Sequence, residues 1–221
     1  MSNAKSTRSA GDGELLEIAR GVANGAAKGE QVEAYVVRSR ETEVEVFGGE
    51  VESLTTAVVE GIGVRVVVDH RQGYAWAGSF EPSVVEETLR EARDNAAFGE
   101  PDEWYALASP ADANGVTPAT LDVWREELAS VPTDDKVRIA LELERATKAY
   151  DPRIRNVESA GYGDALSESA LANSLGVESQ QRRTMASASA GAIADDGTGA
   201  QTAYGFVAGR TVADLDRLRA P

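Results

Sequence analysis

Ile62, Val64, Val66 and Val68 alternate with Gly63, Arg65, Val67 and Asp69, so one side of this stretch is wholly aliphatic and the other mixed. A two-residue period of this kind marks a half-buried strand. The surrounding segment, residues 48–77, predicts three consecutive strands punctuated by glycines, with Asp69 to Gly73 as the turn that leads into Tyr74-Ala75-Trp76. Upstream, Val44 and Val46 oppose Glu43 and Glu45, which predicts a strand over 42–47 after another over 32–40. Helical spacing replaces alternation elsewhere. Leu15, Ile18, Val22 and Ala26 predict a helix over 14–28 that stops at Gly29. Val85, Leu89, Ala92 and Ala96 predict a second helix to Phe98, opened by Glu81-Pro82. A short helix is expected over 121–128, and another from a Thr133 cap to Tyr150, ended by Asp151-Pro152.

The remainder reads as extended: 154–162, 168–174, 181–194 and 200–209. Within 181–194, alanines at 186, 188, 190, 192 and 194 share one face, and Ser187, Ser189, Gly191 and Ile193 share the other. Small residues on both faces predict a strand closely covered by other backbone. At an offset of 126 residues, Val51-Glu52-Ser53 recurs as Val177-Glu178-Ser179, Asp69 as Asp195 and Gly73 as Gly199. The pattern therefore predicts an α+β fold of antiparallel β-meanders with packed helices, built as a pseudo-repeated helix-plus-sheet unit. Its expected organisation is a disordered leader or tag over 1–12, then a domain over 13–216. Two halves, 13–98 and 119–216, are joined by a long loop, 99–118, that is rich in Pro, Gly, Asp and Asn. Trp104, Tyr105 and Leu107 predict that part of this loop packs.

Charge narrows the classes of partner. With 22 basic against 37 acidic residues, the chain carries −15, which argues against nucleic acid and against an anionic membrane surface. No apolar run reaches membrane-spanning length. The absence of cysteine removes disulfides, thiol nucleophiles and cysteine metal sites. A cytoplasmic location is the expectation.

Chemistry has few places to reside. His70 is the sole histidine, so a zinc site would need carboxylates for its other ligands, and a Ser-His-Asp triad would have to use this residue. Between Asp69 and Arg71 it reads as a turn residue, with a role at a cleft edge as the alternative. Gly61-Ile62-Gly63 opens like a dinucleotide fingerprint, but Val66 stands where the third glycine belongs and the context is a meander. Asp195-Asp196-Gly197-Thr198-Gly199 lacks the alternating acids of a calcium loop and reads as a hairpin turn. Arg65, the lone charge in an apolar run, could hold a carboxylate or a peptide carbonyl, or lie on an exposed face with its stem buried. No self-contained active site emerges.

Ordered blocks along the chain carry a family resemblance. They are Gly48-Gly49-Glu50-Val51-Glu52-Ser53, Gly61-Ile62-Gly63-Val64-Arg65-Val66 and Arg71-Gln72-Gly73-Tyr74-Ala75. Asp151-Pro152-Arg153-Ile154, Ala170-Leu171-Ala172-Asn173-Ser174, Ile193-Ala194-Asp195-Asp196-Gly197 and Ala213-Asp214-Leu215-Asp216 follow. Together they resemble the N-terminal domain of the TldD/PmbA family, also called modulators of DNA gyrase, and the later blocks resemble the PmbA (TldE) branch. The resemblance implies a metallopeptidase system acting on peptides and unfolded proteins. A TldD-type subunit carries H-E-x-x-x-H and zinc, and a PmbA-type partner without that motif pairs with it. This sequence has no H-E-x-x-x-H and stops near Asp216, where the family pattern continues into a metal-site domain. The implied role is non-catalytic: cleft and dimer surface, no cofactor of its own, and zinc in the TldD-type partner or catalytic domain. Expected partners are that subunit, or self through the missing C-terminal domain, and peptide substrates gripped along a sheet edge. Arg65, His70 and Tyr74 are the candidate peptide or cleft contacts; no catalytic or metal-ligating residue is assigned. Two other classes compete: an acidic interaction module modulating DNA gyrase or another partner, and a metal-independent carboxylate hydrolase.

Overall fold

The computed structural model describes residues 13–117 and 119–219, so the leader expected at 1–12 lies outside the described residues. In chain order these residues form α1 (Glu14–Ala23), β1 (Gln31–Phe47), β2 (Glu50–Val68), β3 (Arg71–Ala77), α2 (Pro82–Phe98), α3 (Thr133–Tyr150), β4 (Ile154–Asn173), β5 (Glu178–Asp195) and β6 (Ala200–Gly209). Short 3-10 turns lie at Pro110–Ala113, Glu126–Ser130 and Val212–Arg219. The strands form one sheet in the order β3-β2-β1-β4-β5-β6. This is the α+β architecture that the alternation predicts. Among the described residues no helix is long and apolar enough to cross a membrane.

Strands run longer than their hydrophobic pattern suggests. The expected pair 32–40 and 42–47 is one strand of 17 residues, and 154–162 with 168–174 is one of 20. In β1 the buried set Val32, Ala34, Val36 slips at Ser39 and resumes at Thr42, Val44 and Val46. Buried hydroxyls bridge the slip: Ser39 Oγ lies 2.9 Å from Ser167 Oγ, and Thr42 Oγ1 accepts a bond from Lys136. Paired polar groups can stay inside a strand, where sequence alone reads a break.

Turns also differ from expectation. Asp69 and His70, with φ of 49° and 59°, make a two-residue turn that pairs Val68 with Arg71, the primed type that suits strand twist. Gly73 therefore lies inside β3 and not in the turn. There α2 approaches so closely that a Cβ would stand 2.0 Å from the Ala92 carbonyl oxygen and 2.2 Å from the Ala96 nitrogen. The stretch 48–77 consequently holds two strands, joined to β1 by the Gly48-Gly49 turn. Helix α1 ends at Ala23, earlier than Lys28, because Asn24-Gly25 turn the chain back onto it. The residue preceding α3 is Pro132; Thr133 is its first helical residue and makes no side-chain cap. No helix covers 121–125. Val123 instead accepts the Thr184 N–H at 2.9 Å, so this piece runs extended beside β5 before the 3-10 turn.

The described residues fall into two compact units: 13–38, 59–120 and 168–181 form the first, and 39–58, 121–167 and 182–219 the second. Strands β1, β2, β4 and β5 each give residues to both. The first core joins Leu15, Ala19 and Val22 of α1 and Ala92 and Ala96 of α2 to Val32, Val36, Ile62, Val64 and Val66 of the sheet. Each fully buried valine there is worth about 1.5–3 kcal/mol. The second core joins Ala140 of α3, Leu128 and Leu215 to Val44, Val46, Val157, Tyr162 and the alanine face of β5. On that face Ala186, Ala188, Ala190 and Ala192 are buried and Ala194 is half-exposed; on the other only Gly191 is buried, and Ser187, Ser189 and Ile193 stay half-exposed, so the close cover expected on both faces is found on one.

Candidate functional site

In the first unit, Arg65 and Tyr74 are register partners across β2 and β3, and Gly63 faces Trp76. Both aromatics are exposed, Tyr74 by 57% and Trp76 by 76%. The tyrosine ring lies over Gly63, where its hydroxyl would be 2.6 Å from an added Cβ. Arg65 Nη2 donates to the Ala106 carbonyl at 3.3 Å, and its Nε is buried with no hydrogen-bond partner. The arginine thus holds a peptide carbonyl of its own chain. His70 is exposed at the hairpin tip, about 16 Å along the strand from Arg65. Its backbone carbonyl accepts the Asp102 N–H at 2.7 Å.

These contacts pin the connecting loop. Arg71 donates to the Gly99 carbonyl, Leu107 N–H to Gln31 Oε1 at 2.8 Å, and Asn173 Nδ2 to the Ala108 carbonyl at 2.8 Å. Leu107 is the buried anchor, and Trp104 is 83% exposed.

The second unit contains a polar arrangement that periodicity does not reveal. Lys136, Ala140 and Glu144 line one stripe of α3, all buried. Lys136 Nζ sits 2.6 Å from Asp164 Oδ2 and donates to Thr42 Oγ1 at 3.0 Å. The Tyr162 hydroxyl donates to the same Asp164 oxygen at 2.8 Å, while Asp164 Oδ1 is buried without a partner. Burial first, then the bond to Asp164 and its charge, push the Tyr162 phenol far above its ordinary range. Two turns along, Glu144 accepts the N–H groups of Gly48 and Gly49 at 2.6 and 2.9 Å. Both glycines have positive φ, 64° and 85°, so the turn presents its two amides side by side to the carboxylate. The only sequence signal for this was a spacing of four between Lys136, Ala140 and Glu144, which exposed helical charges share.

Beside Glu144 opens a cleft of about 990 Å³, lined by Gly48, Gly49, Val137, Leu141, Lys148 and Val157 among others. Arg65, His70 and Tyr74 do not line it. Both Glu144 oxygens are engaged by the turn, and the cleft lining combines apolar Val137, Leu141 and Val157 with charged Asp134, Arg138, Glu142, Arg145 and Lys148. The residues do not fit a zinc centre: the sequence has one histidine and no cysteine. Among the described residues, no three His, Cys, Asp or Glu side chains gather as a metal requires.

Comparison with known proteins accords with this fold. The family model described as PmbA/TldA metallopeptidase domain 1 matches residues 32–96, and that of the PmbA/TldA metallopeptidase central domain matches 126–220. An uncharacterized protein of Methanocaldococcus jannaschii is 31% identical over 75 residues, covering 34% of this chain and 18% of its own. A candidate modulator of a DNA gyrase from Thermotoga maritima matches with TM-score 0.74 and 20% identity over 92% of this chain and 45% of its own. One from Bacteroides thetaiotaomicron matches at 0.79 and 23%, over 90% and 46%. TldE from Thermococcus kodakarensis matches at 0.75 and 23%, over 91% and 44%. The chain spans about half the length of these solved relatives. With the first and central domain models matched in order, the chain belongs to the TldD/PmbA family and corresponds to its N-terminal region.

Proposed function

We propose that this chain serves a TldD/PmbA-type metallopeptidase system as a non-catalytic region that forms cleft and dimer surface for the proteolysis of peptides or unfolded proteins. The ordered match of the two family domains, on a chain whose one histidine is an exposed turn residue, carries the reading. In this proposal the chain is of the PmbA/TldE-like branch and works in the cytoplasm. Zinc is held by a TldD-type subunit or by a metal-site domain, and pairing is with that subunit or with self. The described residues would bind and orient. Val137, Leu141 and Val157 offer apolar surface in the cleft, Arg145 and Lys148 supply cations beside it, and Arg65, His70 and Tyr74 contact peptide on the first unit. Backbone-directed grip with few specific side chains suits broad substrate choice.

The test is reconstitution. This chain, and separately its full-length form, is mixed with a TldD-type subunit, and binding and cleavage of unfolded peptides are followed. The expected result is that the full-length protein binds the subunit and raises cleavage. Full-length protein that neither binds nor alters cleavage refutes the proposal.

A further inference from the structure

The cleft beside Glu144 carries opposite, uncommitted charges at two points along α3. Asp134, Arg138, Leu141, Arg145 and Lys148 recur every three or four residues with Val137 beside them, so one face of α3 lines the cleft. Most of the cleft's charges already have partners. Arg138 pairs with Asp135 at 2.9 Å and with Glu142 at 3.3 Å. Glu144 holds the two glycine amides, and Lys148 donates to the Arg155 carbonyl. Among the described residues, the side chains of Asp134 and Arg145 form no hydrogen bond or ion pair, and both are exposed. They stand eleven positions apart, about 16 Å along the helix. Val137, Leu141 and Val157 supply apolar surface in the same cleft. Asn156 of β4 also lines it, with an amide that can both donate and accept. At about 990 Å³ the cleft is of ligand size.

We infer that this cleft holds a short peptide by both free ends, its α-ammonium at Asp134 and its α-carboxylate at Arg145. An extended chain advances about 3.3 Å per residue, so about five residues fill the interval. Arg145 can grip a carboxylate through two parallel N–H bonds, and Lys148 adds positive charge less than one turn away. Apolar side chains of the peptide meet Val137, Leu141 and Val157, and Asn156 bonds its backbone. The helix dipole opposes this direction, but it amounts to about half a unit charge at each end and fades within a turn. Arg145 stands more than a turn before the end of α3 at Tyr150, so the full side-chain charges prevail. Other occupants match less well. An interior segment of a long chain brings no charge to either end, and a fatty acid satisfies Arg145 but leaves Asp134 facing a methyl group. The inference rests on the proposed reading in that peptides are what reaches the cleft. It narrows that reading to peptides of product size, recognised by their ends.

Isothermal titration calorimetry of the 221-residue chain with peptides of alternating alanine and leucine is the experiment, with circular dichroism confirming that each variant is folded. The pentapeptide with both ends free is expected to bind. Blocking either end, by acetylation or by amidation, is expected to weaken it at least about fivefold. Arg145→Gln is expected to abolish the effect of amidation and keep that of acetylation, and Asp134→Asn the reverse. Both side chains are exposed, so neither change touches the core. A decapeptide with both ends blocked is expected to bind more weakly than the free pentapeptide. A free pentapeptide that shows no binding at about 5 mM overturns the inference, as does one indifferent to blocked ends. So does a blocked decapeptide that binds as tightly, or a variant that leaves its matching end effect unchanged. No TldD-type subunit takes part, so a failure here is distinct from a failure of reconstitution.

Discussion

Replacing Lys136 by methionine removes one half of a buried ion pair whose side chains are only 6% and 0% exposed. The Asp164 carboxylate would then keep the Tyr162 hydroxyl on Oδ2 and nothing on Oδ1. An uncompensated buried charge of this kind costs about 3–5 kcal/mol. In a domain of this size that corresponds to a fall of about 6–20 °C in Tm, a large share of a total stability of about 5–15 kcal/mol. Lys136→Met combined with Asp164→Leu removes both charges together with the cost of keeping them dry but takes the acceptor from the Tyr162 hydroxyl, and is expected to lie within about 1–3 kcal/mol of the wild type. Urea titration of the wild type, both single variants and the double variant closes the cycle. The expected outcome is a coupling energy of at least about 2 kcal/mol, with the double variant more stable than either single one. Single variants that each cost less than about 1 kcal/mol, or effects that simply add, would refute the assignment of this pair as a desolvated unit.

Three further outcomes follow from the same structure. Gly73→Ala drives a Cβ into the backbone of α2 and is expected to cost about 3 kcal/mol. Gly63→Ala meets only the movable Tyr74 ring and is expected to cost less than about 1 kcal/mol; equal thermal shifts for the two would contradict the close approach of α2. Glu144→Gln leaves one neutral acceptor for the Gly48 and Gly49 amides and is expected to lose about 1–3 kcal/mol. Faster hydrogen exchange at those two amides would accompany it. Burial opposes ionisation of Glu30, but Arg93 and the Ala27 N–H outweigh it and hold the carboxyl below its ordinary 4.5. A depressed folded value contributes stability above the unfolded pKa that is lost as pH falls through the folded one. Glu30→Gln should therefore be the less stable protein at neutral pH, and its deficit should shrink below about pH 4.5. A deficit independent of pH would contradict the ion pair.

The α+β class, the helices over 82–98 and 133–150 and the buried valines of β2 were legible because each rests on a local period that burial reads directly. Strand continuity was not. Ser39 and Thr42 break the apolar alternation, and only partners more than 90 positions away, Ser167 and Lys136, make their burial tolerable. Gly73 looked like a turn residue because glycine signals turns and close approaches alike, and α2 decides between them. The polar stripe of α3 was hidden because a lysine and a glutamate eight positions apart read as solvated charges until Asp164 and the glycine turn are placed opposite them. Family blocks carried what periodicity could not, since their order and spacing reflect the whole fold and not any one element.

In the proposed role this chain contributes surface and not catalysis. Zinc content of the purified chain by mass spectrometry, with peptide cleavage measured on the same sample with and without chelator, tests that most directly. The expected result is no stoichiometric zinc and no cleavage by the chain alone. One zinc per chain, with chelator-sensitive cleavage that His70→Ala abolishes, would contradict it.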